Sequence, residues 1–243
     1  MGLEFIFKQP FAEQVAFFRG KLGNLIPTES WLDVQKSAHD TGFMVAGAMK
    51  TDLLADLAAA VDQAISEGTG IEAFRKNFDQ IVEKHGWSYK GEYNWRTRTI
   101  YRTNMASSYS AGRLVQLKSG NFPLWTYRHN DSVARPRPLH VSWDGLTLPS
   151  DDPWWDTHYP QNGWGCQCYV IGTTRKTAER MGWRIENAPD DGTEPDGRPK
   201  GIDKGWDYQP GKTTTDQVRR ALSEKLPDLP KPLADALRKD LGM

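Results

Sequence analysis

The sequence predicts an α+β protein: a helical N-terminal region, a mixed module with short antiparallel strands, and an extended C-terminal arm. Three observations carry that expectation. Over the first ninety residues apolar side chains recur at helical spacing. Beyond Phe122 that period is lost, and short apolar runs alternate with turn signals at Asp144-Gly145, Pro149-Ser150, Pro160 and Asn162-Gly163. From residue 186 to 215 the chain turns to Gly, Pro and Asp, a composition too polar and broken for a packed element. The expected divisions are a helical domain over 1–90, a mixed module over 91–185, a Gly/Pro-rich arm over 186–215 and a C-terminal helical segment over 216–243.

The elements follow in order. Phe11, Val15, Phe18 and Leu22 form a helical stripe after Pro10, which suits a first-turn position, and Gly23 is the stop signal. A second helical segment opens near Thr28 to Ser30 and carries Trp31 and Val34. Leu54, Leu57, Val61 and Ile65 then share one face, with Thr51 or Asp52 to cap the start and Gly68 to end it. Ile71, Phe74, Phe78 and Ile81 share the next face before Gly86, so 52–67 and 70–85 read as a helical hairpin. Stripes of this kind are core-forming. A further helix covers Tyr93 to Lys118, with Gly120 as its terminator. Leu124 to Tyr127 and Cys168 to Ile171 read as strands. Trp206 and Tyr208 are the anchor candidates of the arm. Val218, Leu222 and Leu226, then Leu233, Leu237 and Leu241, make the last amphipathic stretches.

A chain of 243 residues can bury a substantial core without disulfides, which excludes the small disulfide-stapled class. Lys plus Arg and Asp plus Glu both total 31, so no net charge draws the molecule to nucleic acid or membrane, and a charged partner must meet a local patch. Such patches exist. From Tyr93 to His140 there are eight basic residues (Arg96, Arg98, Arg102, Arg113, Lys118, Arg128, Arg135, Arg137) against Asp131; from Val141 to Val170 there are four acids (Asp144, Asp151, Asp152, Asp156) and no base. Adjacent blocks of opposite sign most simply pair with each other, Arg being suited to forked bonds with carboxylates. The other reading is a strip that touches DNA or an acidic partner through Arg96, Arg98, Arg102 and Arg113. With no basic and apolar leader pattern and no apolar run of about 18 residues, the expectation is a soluble protein made in the cytoplasm, without a membrane partner.

The densest stretch runs from Pro123 to Val170. It holds both cysteines, three of five histidines (His129, His140, His158) and five of ten tryptophans. Rings in that number gain stability only when buried, so the stretch reads as a compact core or site. Cys166 and Cys168 with His140 or His158 supply a plausible zinc set, thiolate and imidazole being favoured ligands. The alternative is that the thiols pack beside Trp164, since Cys-x-Cys is closer than the usual Cys-x₂₋₄-Cys and residues i and i+2 of a strand share a face. His140 with Asp144 and Asp131 could form a base with orienting carboxylates, yet no Gly-x-Ser-x-Gly, His-Glu-x-x-His or phosphate loop accompanies them. Cys-x-Cys is also not the Cys-x-x-Cys redox spacing.

Several pieces in order resemble the phage Mu F-like minor head protein family, also called the phage head morphogenesis family. They are RTIYRTNMASSYSAGR up to Arg113, the pattern Asp131, Arg135, His140, then WDG at Trp143 to Gly145, DDPWWD at Asp151 to Asp156, YPQNGWGCQC at Tyr159 to Cys168, and GWDYQPG at Gly205 to Gly211. SWLDVQKSAHDTGFMVAG, from Ser30 to Gly47, resembles the helical region that precedes the module in the Mu-like branch. The chain departs from the family pattern with Cys-Gln-Cys after Pro-Gln-Asn, and with Trp-Asp-Gly in place of Leu-Asp-Gly.

The resemblance implies a non-enzymatic virion protein, made in the host cytoplasm and built into the phage head. Its helical domain would dock on the portal protein, the major capsid protein or a scaffold protein, and it could contact packaged DNA. Asp131, Arg135, His140, Asp144, Gly145, Trp155, Trp164, Cys166 and Cys168 would form the structural core of the module. No catalytic residue and no required cofactor are carried over, and zinc is the one metal the residues raise. The alternative is a zinc-dependent hydrolase or nuclease using the His/Asp/Cys core.

Overall fold

The computed structural model describes residues 11–214 and residue 231, so the apolar stretches expected within 216–243 lie outside the described residues. The chain divides into two compact units, the first ending at Gly112 and the second starting at Arg113.

The first unit is helical. Helices α1 (Ala12–Arg19), α2 (Thr51–Glu67), α3 (Ile71–His85) and the greater part of α4 (Tyr93–Ser119) build it. Leu54, Leu57, Val61 and Ile65 of α2 bury against Phe74, Phe78 and Ile81 of α3, as their spacing predicts. Each such side chain contributes about 1.5–3 kcal/mol by leaving water. Gly68 and Gly86 end the two helices in the left-handed conformation that glycine adopts without a Cβ clash. The expected cap of α2 is corrected: Thr51 is already helical, and the residue before it, Lys50, makes no side-chain capping bond.

The helix expected to open near Thr28 to Ser30 is a single 3₁₀ turn, Trp31–Asp33, followed by a second at Lys36–Asp40. The Ser30 side chain accepts from the Leu32 amide and Asp33 accepts from the Ser30 amide, which completes a helix start. Val34 and Gln35 are then extended and Lys36 has a φ of 45°, so the turn cannot propagate. The segment is fixed by packing. Trp31 stacks on His39 with centroids 3.7 Å apart.

The second unit is built on a four-stranded sheet, β1 (Leu124–Arg128), β2 (Leu146–Pro149), β3 (Tyr169–Thr173) and β4 (Arg184–Ile185), in the order β3-β1-β2-β4. Three short helices connect it: α5 (Pro138–Ser142), α6 (Trp155–His158) and α7 (Arg175–Arg180). β1 pairs antiparallel with both β2 and β3, whereas β4 runs parallel to β2, which makes the sheet mixed. Central β1 has Trp125, Thr126 and Tyr127 all buried, since one face alternates with the other and both are covered. Thr126 and Thr147 close the β1–β2 contact with hydroxyl oxygens 2.9 Å apart.

Residues 187–209 contain almost no regular structure, beyond a bridge between Thr193 and Pro199. They nevertheless bury Ile202, Trp206, Tyr208 and Gln209. Asp191 accepts from the Trp143 indole at 2.8 Å, the Asp203 amide donates to Asn162 O at 2.9 Å, and Gln209 donates to Trp155 O at 3.3 Å. The Gly/Pro-rich segment is a strap laid across the second unit.

Candidate functional site

The antiparallel register of β1 and β3 creates the site. Arg128 pairs with Tyr169, so the next residues along, His129 and Cys168, leave the sheet side by side. Asp144 fixes the approach: it accepts from the His129 amide and from Arg128 Nε, both at 2.8 Å. Gly145 turns the chain at that point with a φ of 77° and donates its amide to Tyr127 O. His140 comes from α5, which starts with Pro138 in its first turn. Cys166 sits in the turn after Gly163, where its amide donates to Gly163 O.

These elements bring three donor atoms together and set a fourth, His129 Nδ1, beside one of them. His140 Nδ1 is 3.8 Å from Cys166 Sγ and 3.6 Å from Cys168 Sγ, and His129 Nδ1 is 3.5 Å from Cys168 Sγ. The ligand atoms of His140, Cys166 and Cys168 all lie within 4.8 Å of one another. His140 is 2 % exposed, each thiol 3 % and His129 9 %. The far nitrogen of His140, Nε2, lies 2.8 Å from Gly201 O in the strap. A carbonyl only accepts, so Nε2 carries a proton, and Nδ1 is the ring nitrogen that faces the two sulfurs.

The two thiols share their protons unequally. The Cys168 sulfur, then the His140 imidazole and the Asn162 amide, hold Cys166 well below the usual thiol range, against the opposing effect of burial. Cys166 and burial push Cys168 up in turn. Tyr127, buried beside both sulfurs, is pushed well above its ordinary value by burial first, and its hydroxyl donates to Asn162 Oδ1 at 3.1 Å.

Around the donors stands an aromatic cage. His140 stacks on Trp143 with centroids 5.1 Å apart, and Trp143 meets Trp154 edge-on at 5.5 Å. Trp155, expected in the core, is 1 % exposed, meets Trp125 at 5.7 Å and donates its indole N–H to Pro149 O. His158, expected as a possible metal ligand, belongs to this cage and not to the donor cluster. It stacks on Trp154 at 4.2 Å, and its Nδ1 lies 3.1 Å from Trp154 O and 2.9 Å from the Thr157 hydroxyl. Burial lowers its pKa to about 4, so it is neutral. Three further expected core residues also lie elsewhere. Asp131 and Arg135 are exposed, carried outward by a turn in which Asn130 Oδ1 accepts the Ser132 amide. Trp164 is 40 % exposed, although its ring meets the edge of Trp206 at 5.3 Å.

The strap closes the site from outside the Pro123 to Val170 stretch. Asp203 accepts from Arg137 at 2.5 Å and from the Trp164 amide at 2.9 Å. A Cβ on Gly163 would stand 2.3 Å from that carboxylate, and one on Gly201 2.7 Å from the Trp143 ring. Glycine is therefore required at both close approaches. Sequence reasoning missed His129, Gly201 and the Arg137–Asp203 pair as site residues. The signal for His129 was present in the two expected strands, whose pairing would have set it against Cys168.

The charge blocks pair with each other at Arg128 and Asp144, while Arg137 turns to Asp203 and Asp156 to Lys212. Arg96, expected at a DNA or partner surface, is buried: its guanidinium donates to Lys90 O and Ala46 O and lies 5.5–5.9 Å from the rings of Trp87, Tyr89 and Trp95. Arg98 and Arg102 are exposed one turn apart on α4, and Arg113 is half-buried and donates to Gln116.

Residues 55–171 match the family described as Phage Mu protein F like protein. Over 93 % of its length the chain is 31 % identical to the "Putative capsid assembly protein F" of Escherichia phage Mu, aligning with 60 % of that protein. Over 81 % of its length it is 34 % identical to the "Mu-like prophage FluMu F protein" of Haemophilus influenzae, aligning with 48 % of it. The chain thus spans about half to three-fifths of these curated relatives. No solved structure matches. The family match falls on most of the α2–α3 hairpin, α4, strands β1 and β2, the start of β3 and the histidine–cysteine cluster, so it is this site that the chain shares with the family described as Phage Mu protein F like protein.

Proposed function

We propose that this chain is a head-assembly protein of a tailed phage or prophage, which docks on the portal protein or the inner face of the capsid shell. The observation that carries the reading is the alignment of 93 % of the chain with the phage Mu protein named as a capsid assembly protein. The chemistry of the site agrees with a structural role. A zinc hydrolase or nuclease keeps one coordination position open to water and substrate. Here His140, Cys166 and Cys168 are 2–3 % exposed beneath Trp143 and the strap, which favours a cluster that holds shape over one that turns over a substrate. Among the described residues no helix is long and apolar enough to cross a membrane.

Contact with packaged DNA is a second reading, favoured by the exposed Arg98 and Arg102 on α4. Arg96 takes no part in it, being committed to backbone carbonyls. The proposal is tested in induced cells. Purified heads should contain the chain in a fixed ratio to the major capsid protein. Heads of normal yield and DNA content, formed after deletion of its gene, would contradict it.

A further inference from the structure

We propose that His129 Nδ1, His140 Nδ1, Cys166 Sγ and Cys168 Sγ bind one Zn²⁺ in a closed tetrahedral site that pins together β1, α5, the cysteine turn and the strap. Geometry is the first support. A tetrahedron with zinc–sulfur bonds of about 2.3 Å and zinc–nitrogen bonds of about 2.05 Å has nitrogen–sulfur edges of about 3.6 Å. Three nitrogen–sulfur edges of the cluster measure 3.5, 3.6 and 3.8 Å; His140, Cys166 and Cys168 form the preset part of the site, and the His129 ring, held only beside Cys168, turns toward the other two to close the tetrahedron as the metal binds. Cys168 stands at nearly equal distance from two imidazoles, and His140 Nδ1 from two sulfurs.

The surroundings are those of a ligand set. His140 Nε2 donates to Gly201 O, which fixes the ring and leaves Nδ1 free for a metal, the outer contact that metal-bound histidines ordinarily show. Asp144 accepts the His129 backbone amide and so fixes the chain at that residue. Charge also balances. As the two zinc–sulfur bonds form, every proton still held on the sulfurs and on the ligating ring nitrogens passes to solvent; Zn²⁺ with two thiolates and two neutral imidazoles is then uncharged, as burial requires. Two nitrogen and two sulfur donors in a tetrahedron select zinc among the common divalent ions, since magnesium and calcium prefer oxygen. His158 is excluded as a ligand by its place against Trp154.

The test uses the whole chain, purified under reducing conditions without a metal-affinity step. Elemental analysis should find about one zinc per chain. His129→Ala and Cys166→Ser should each lose it, while His158→Gln should retain it. Because the first two variants could fail to fold, wild-type protein is also stripped with a chelator and titrated with Co²⁺. The expected result is a sulfur-to-cobalt charge-transfer band with the strong visible bands of tetrahedral coordination. Adding Zn²⁺ to the stripped protein should release at least about one proton per metal, the one held on Cys168. Less than about a tenth of an equivalent of zinc, together with weak octahedral cobalt bands, would overturn the proposal. So would a His129→Ala protein that folds and keeps a full equivalent.

Discussion

His140 and His158 come from the same tryptophan-rich stretch, and their nitrogens decide their different roles. His140 donates Nε2–H to Gly201 O and turns Nδ1 to two sulfurs, whereas His158 directs Nδ1 at Trp154 O and Thr157 and stacks within the cage. A pH dependence follows from the second. Burial lowers the His158 pKa from 6.5 to about 4, so between those values the unfolded chain takes up a proton that the folded chain refuses. Stability contributed by neutral His158 is therefore fully present above about pH 6.5 and is lost as the pH falls toward 4, by up to about 3 kcal/mol. Denaturant unfolding at pH 7 and pH 4.5 should show a smaller acid loss for His158→Gln than for wild type. Equal losses would remove this role. His39, buried against Trp31 with its pKa lowered to about 4, adds the same sign of dependence in the first unit.

At the scale of elements, the strap matters more than its composition suggests. Gly201 has a φ of 83° and no room for a Cβ beside Trp143, so Gly201→Ala should cost about 2 kcal/mol or more, read as a lower denaturation midpoint. Asp203→Ala leaves the Trp164 amide without its acceptor and Arg137 with only Trp164 O, and should cost about 1–3 kcal/mol in the same measurement. A change within about 0.5 kcal/mol for both variants would mean that the strap is not anchored there.

The α2–α3 hairpin could be read from sequence because its stripes, Leu54 to Ile65 and Ile71 to Ile81, and its stops, Gly68 and Gly86, are local facts. The 3₁₀ turn at Trp31 could not, since its arrest depends on the extended Val34 and Gln35. β1 and β3 were visible as apolar runs between turns, but their pairing was not. Without that register, His129 is one histidine among five, and His158 is the more obvious neighbour of the cysteines. The strap has no period at all. Its order comes from single contacts to Trp143, His140, Asn162 and Trp155 that no local pattern encodes.

For the whole molecule, zero net charge and two compact units leave long-range attraction to local patches. If α4 touches DNA, Arg98 and Arg102 carry the contact, and replacing both with Gln should make the dependence of log affinity on log salt shallower by about 2. An unchanged slope would remove α4 from any DNA interface. The proposed docking on protein partners in the phage head matters most. It is tested most directly by isolating the portal protein from induced cells and measuring how much of this chain accompanies it through high-salt washing. Docking on the portal predicts retention in a fixed ratio, kept when Arg98 and Arg102 are replaced. Recovery of the chain entirely in the unbound fraction, from cells that make normal portal complexes, would contradict it.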